Sequence, residues 1–342
     1  MKRIIDEKDI ERDRARNFFD RHYLNLASGI LNYDDYVYLG NEKFKKCRFC
    51  GKKEGEVTFD EKAHVFPQCI GNEFLLSYYE CDSCNKFFGG KLEGEFSNCF
   101  SFYHSLYKIK GKKKVPVFQE NGGKIKNEWK KDPDNGKDVY VFRDTIDAGT
   151  VEIDQEKHTF IKRGKSDSYI PIAVFKCFVK MAISIMPEIE VKNFRDTAQW
   201  LKKSEHYNYY KNNKRLLCRF VQIAGFSNRV PQYTLFKRKF VNDYPYMLFQ
   251  ITYGGFSYLI EVPRNSSDSH LKTIEQIPFP PLYYESIDEG CYDFTGIERI
   301  SEERKIVCSF GTMDEEAGRN KIKKLFPELE DMNDTDQTET EA

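Results

Sequence analysis

Two short runs decide how this chain folds: Cys47-Arg48-Phe49-Cys50-Gly51 and Cys81-Asp82-Ser83-Cys84-Asn85. Two residues between cysteines let both thiolates of a turn reach one ion, and two such turns complete a tetrahedron. The pattern therefore predicts a structural Zn²⁺ held by Cys47, Cys50, Cys81 and Cys84. Gly51 supplies the backbone freedom that such a turn needs. The competing reading, four ordinary buried thiols, requires two accidental C-x2-C pairs in one short stretch. A site closed by four thiolates has no open coordination position, so this zinc should fold the segment, and chemistry must come from other residues.

Between the two runs lie Ala63-His64-Val65-Phe66-Pro67 and Gly71-Asn72. Asn85 falls on the first turn of a helix predicted to run through about Phe96. These residues resemble the HNH, or ββα-metal, endonuclease family, in the variant whose His-Asn-Asn set is nested inside a four-cysteine zinc site. The resemblance covers about residues 44–100. It implies a treble-clef-like module in which His64 is the catalytic base, Asn72 braces the loop, and Asn85 binds a catalytic Mg²⁺ or Mn²⁺.

The residue types suit that chemistry. Phosphodiester hydrolysis needs a base that titrates near neutrality and a hard cation beside the leaving oxygen, and an amide oxygen is a ligand that Mg²⁺ accepts. Because Cys84 and Asn85 are adjacent, anchoring the sulfur also anchors the turn that presents the amide.

One departure stands out: the family often has Asp, Glu or His as a metal ligand just before the catalytic histidine, and here that residue is Ala63. Asp60, Glu61, Glu80 and Glu93 are the nearby carboxylates that can replace it. Glu93 ranks first as a ligand, two helical turns beyond Asn85 and so on roughly the same face, with Gly89-Gly90 a potential break in the helix between them. Each residue also has an ordinary reading. His64 alone is a satisfied histidine, Asn72 a turn residue, Asn85 a helix cap, and Glu93 a solvated helix charge. The aromatics Tyr78, Tyr79, Phe87, Phe88, Phe96, Phe100 and Phe102 are read as core rather than base-stacking platforms, and the other histidines are assigned nothing.

The rest of the chain sets the context. An apolar fraction of 40% is enough to bury a core, and the length suits about two domains. Net charge is zero but segregated: Lys108–Lys131 holds nine lysines against Glu120 and Glu128, whereas Leu325–Ala342 carries seven acids and no Lys or Arg. The charged N-terminus lacks the apolar run of a secretory signal, and Lys176 and Lys180 interrupt the longest apolar stretch. No membrane association and a cytoplasmic location are expected.

The predicted division is a helical lead-in at 1–39, the HNH module at 40–108, a region of unknown role at 109–325, and an acidic disordered tail at 326–342. The fold class is α+β, the zinc module being followed by a mixed region with an antiparallel sheet. Its signals are a buried helix over Ile170–Met186, a second helix over about Val191–Lys203, and strands meeting at a Gly254-Gly255 turn.

The family resemblance implies metal-dependent cleavage of nucleic acid, with double-stranded DNA as the expected partner and an antiphage or restriction-type effector, which the chain also resembles, as the setting. Lys86, Lys91 and the later lysine stretch are placed against phosphates. The alternative is a zinc-dependent binding module that has lost hydrolysis, which Ala63 keeps open. A third reading makes the C-terminal region a sensor of a regulatory ligand or protein.

Overall fold

The computed structural model describes residues 7–111, 115–120, 123–131, 138–144, 151–154, 156, 159–224, 229–282 and 285–309. Helix α1 (Glu7–His22) leads into β1 (Tyr23–Ile30), and strands β2 (Val37–Leu39) and β3 (Leu75–Ser77) frame the first cysteine pair. Helices α2 (Asp82–Phe88) and α3 (Gly94–Cys99) are joined by a π turn at Gly89–Glu93, and α4 (Ser101–Leu106) follows. Strands β4 (Phe118–Glu120), β5 (Gly123–Lys131) and β6 (Asp138–Asp144) form one small antiparallel sheet. After β7 (Val151–Asp154) and β8 (Thr159–Lys165) come α5 (Pro171–Ile185), α6 (Glu188–Val191) and α7 (Arg195–Leu201). The chain continues through β9 (Leu217–Ile223), β10 (Arg229–Arg238), β11 (Met247–Gly254), β12 (Phe256–Glu261), β13 (Ser286–Asp293) and β14 (Glu303–Ser309).

The main sheet has six strands, ordered β1-β10-β11-β12-β9-β13 and antiparallel throughout. The chain is thus mixed α+β with an antiparallel sheet, as its sequence predicts. Strand β1 departs from expectation: within the lead-in expected to be helical over 1–39, the helix stops at His22 and Tyr23–Ile30 pairs with β10 instead. Tyr23–Ile30 carries no charged residue, and pairing along a sheet edge satisfies its backbone hydrogen bonds.

Strands β11 and β12 are buried on both faces. Alternation sends Phe249, Ile251, Tyr253, Phe256, Tyr258 and Ile260 to one side and Leu248 and Leu259 to the other, where Phe19 of α1 lies. Gly254-Gly255 makes the predicted two-residue turn between them, with Gly254 at φ 55°. At Gly255 a Cβ would sit 2.1 Å from the Tyr107 ring, so any larger residue there would displace the side chain that follows α4.

Helix α5 is the centre of the larger face. Pro171 starts it, every residue in it is buried, and Met186 is extended ahead of Pro187. Phe178 packs against Phe96 of α3 at 5.0 Å and Tyr258 of β12 at 5.7 Å between ring centroids. One apolar cluster therefore runs from Leu31 to Ile306, on both sides of residue 108. The helix predicted over Val191–Lys203 is broken into α6, a short 3₁₀ turn at Lys192–Phe194, and α7. Among the described residues, no helix is long and apolar enough to cross a membrane. The acidic tail at 326–342 and Lys112–Lys114 of the lysine stretch lie outside the described residues.

Candidate active site

The four sulfurs of Cys47, Cys50, Cys81 and Cys84 lie within 4.8 Å of one another. A tetrahedral zinc with bonds of about 2.3 Å separates its sulfurs by about 3.8 Å, and Cys50 Sγ and Cys81 Sγ are 3.7 Å apart. The donor set and its spacing fit zinc. Each pair sits on a local frame built for it. The Cys47 N–H donates to Lys52 O at 2.8 Å around Gly51 at φ 76°, and Cys81 occupies the cap position of α2 with Cys84 on its first turn. The Arg48 N–H donates to Tyr79 O at 2.8 Å, tying the first turn to the approach of the second.

From this anchor the chain leads to His64. Residues 63–65 run antiparallel to β3, with the Ser77 N–H donating to Ala63 O at 2.9 Å and the Val65 N–H to Leu75 O at 3.1 Å. Asn72, 1% exposed, closes the intervening loop. Its amide nitrogen donates to Phe66 O at 2.9 Å and Leu75 O at 3.0 Å, and its oxygen accepts from the Leu75 N–H at 3.0 Å. All these bonds stay within the loop, so Asn72 acts on His64 only by holding the hairpin that carries it.

Asn85 lies on α2, and its N–H donates to Cys81 O at 2.9 Å. It is no helix cap, since Cys81 holds that position. Its amide nitrogen donates to Glu61 Oε2 at 3.1 Å, which turns its oxygen away from that carboxylate. The Asp82 carboxylate accepts from the Glu61 N–H at 2.9 Å and the Asp60 N–H at 3.1 Å, fixing the loop beside it.

Gly89-Gly90 does not end the helix. The turn from Gly89 to Glu93 widens to π geometry and the helix continues. At 3.6 residues per turn, eight residues would leave Asn85 and Glu93 about 80° apart. A turn closed i→i+5 absorbs one residue, so the pair is spaced like seven, within about 20° of one face.

His64, Asn85, Glu61, Glu93 and Lys62 line one cleft of about 880 Å³, which extends past Cys69 and Ser97 to His104. Ala63, 2% exposed and without a donor atom, contributes nothing to it. Of the four candidate carboxylates, Glu61 and Glu93 face the cleft. Glu80 is buried beneath it at 1% exposure, and Asp60 is engaged through its backbone.

His64 is half-buried. Burial pulls its imidazole below the usual 6.5; the Glu93 charge pushes up and the Lys180 charge down. His104, fully buried with Nε2 3.4 Å from Tyr253 Oη, is held down at about 3 and stays neutral. Phe88, Phe96, Phe100 and Phe102 are core residues. Lys86 and Lys91 are exposed.

Two contacts come from outside the module. Arg48 stacks on Tyr79, 3.6 Å from the ring centroid, and its Nη1 donates to Ile183 O, Ser184 O and Met186 O at 2.9, 3.0 and 2.7 Å, capping α5. Lys180 of α5 donates to His64 O at 2.8 Å and Glu93 Oε1 at 3.3 Å, and lies 3.3 Å from Glu80 Oε2. The only trace of Lys180 in the sequence is its interruption of an apolar run.

Residues 47–101 match the model of the HNH endonuclease family, a span that includes both cysteine pairs, His64, Asn72, Asn85 and Glu93. With the four-cysteine cluster, the match bears out the family recognised from the motifs. Neither the curated proteins nor the solved structures compared with the chain gave a match.

Proposed function

We propose that this chain, with its HNH endonuclease segment at residues 47–101, is a metal-dependent endonuclease that cuts double-stranded DNA. The observation that carries the reading is the convergence of His64, Asn85, Glu61 and Glu93 on one cleft beside a four-thiolate anchor. His64, kept neutral near pH 7 by burial, accepts the proton of the attacking water. Asn72 holds the hairpin that aims it. The Asn85 oxygen and the carboxylate of Glu93 would hold Mg²⁺ or Mn²⁺, with Glu61 orienting the amide. When bound, that cation stabilises charge on the phosphate and the leaving 3′-oxygen.

Products then carry 5′-phosphate and 3′-hydroxyl ends. Lys62 at the cleft and the exposed Lys86 and Lys91 contact backbone phosphates. In this reading residues 40–108 form a treble-clef-like ββα-metal module, residues 109–325 answer to a regulatory ligand or protein, and the protein serves as a cytoplasmic antiphage or restriction-type effector.

The test is nicking of supercoiled plasmid in Mg²⁺ or Mn²⁺ by the purified chain, with its zinc content measured. The expected results are one zinc per chain and a rate that His64→Ala lowers by on the order of 10²–10⁴ without changing the melt. Equal nicking by His64→Ala would remove the assigned base. The buried Ala63 favours a second reading, a zinc-dependent DNA-binding module without hydrolysis; saturable binding with no cuts in any divalent cation selects it.

A further inference from the structure

Lys180 lies far in sequence from the segment that carries the nuclease motifs, yet its ammonium group sits directly under the cleft. The side chain is 1% exposed and faces His64 O at 2.8 Å, Glu93 Oε1 at 3.3 Å and Glu80 Oε2 at 3.3 Å. An ammonium has three protons to share, and three oxygens from three separate parts of the module surround this one. The three belong to the strand carrying the base, the π turn carrying Glu93, and the residue before Cys81. We propose that Lys180 is a positioning residue of the active site, setting His64 and Glu93 in register, and that α5 is therefore part of the nuclease. The inference rests on the function proposed above.

Several physical points favour positioning over mere packing. An apolar residue would fill the volume on α5, as its neighbours do, without the cost of burying a charge. Glu93 accepts this contact through Oε1 and remains 24% exposed, lining the cleft. Arg48 clamps the C-terminal end of the same helix to the first cysteine turn. Helix α5 is thus held at two points, one beside the zinc and one beneath the base, and cannot shift without moving both.

The experiment compares full-length Lys180→Met, Lys180→Arg and the double variant Lys180→Met/Glu80→Gln, in which the buried carboxylate is neutralised so that no lone charge unfolds the protein. In variants with wild-type zinc content and a cooperative melt, kcat for plasmid nicking should fall about 10- to 100-fold while KM holds. The acid limb of the pH profile should move to higher pH, because a cation that disfavours protonated His64 is gone. Lys180→Arg, which keeps the charge, should keep the wild-type acid limb and recover part of kcat. If the double variant fails to fold, the Arg variant is read alone, and a wild-type kcat there overturns the proposal. A folded double variant with wild-type kcat and pH profile overturns it equally. If the wild-type chain makes no cuts at all, the function assigned above fails instead. The His64 ring titration followed by NMR then decides the positioning role: an upward shift in the two Lys180→Met variants, with none in Lys180→Arg, supports it, and an unchanged titration in the Met variants overturns it.

Discussion

Two buried lysine–glutamate clusters in this molecule are built to different standards. At the sheet, Lys214 Nζ donates to Glu261 Oε1 at 3.1 Å and Oε2 at 2.8 Å, and Tyr210 Oη adds a third bond at 2.6 Å. Both carboxylate oxygens are satisfied there. At the cleft, Lys180 is divided among three oxygens, and neither oxygen of Glu80 has a hydrogen-bond partner among the described residues. A buried pair that serves only the fold can settle into full pairing. One that must leave a carboxylate facing a ligand cannot, and its surroundings carry the cost. The under-satisfied cluster is the one beside the proposed active site.

Zinc removal should separate the two regions most strongly. Metal binding contributes on the order of 10–16 kcal/mol of apparent folding free energy in small zinc modules, and here it should be lost from the cleft side alone. After chelation, hydrogen exchange should rise across residues 47–88 and remain slow in β11 and β12. Equal exposure of both regions would mean that the ion supports the whole core, and the contrast would vanish.

The next effect reverses the emphasis. Lys214→Met strands Glu261 inside the protein, where burial already raises its carboxyl, and should cost about 3–5 kcal/mol in chemical denaturation. Nicking per folded molecule should stay at the wild-type rate, and adding Glu261→Leu should restore most of the stability. A drop in rate at full folding would show that the sheet cluster also serves the cleft.

The smallest effect is in pH dependence. A protonated His64 cannot accept a proton, so cleavage falls as pH drops through its pKa. Burial lowers that value, with Glu93 opposing and Lys180 assisting, so the acid limb at saturating Mg²⁺ should be centred below pH 6.5. The same depression gives a stability contribution that is present above pH 6.5 and lost as pH falls through the folded value. A limb centred above pH 6.5 would point to another base.

Much of this was legible in the chain. The cysteine pairs, the α5 helix between Pro171 and Pro187, and the Gly254-Gly255 turn follow from local patterns, because spacing, ring constraint and φ preference act over a few residues. Other features were not. The strand at Tyr23–Ile30 exists because β10 offers an edge, and a π turn at Gly89–Glu93 interrupts the regular helix predicted to run through about Phe96.

The linear order of residues determined which donors this protein owns: four thiolates in two pairs, an imidazole, two asparagines and a set of nearby carboxylates. Only the packed structure decided which of them meet. It turned Glu61 and Glu93 to the cleft and Glu80 beneath it, and brought Lys180 under His64 from a helix far along the chain. Pattern is read through backbone geometry over a turn or two, whereas a meeting between distant side chains depends on how whole helices and sheets bury their apolar faces, and no local spacing encodes that.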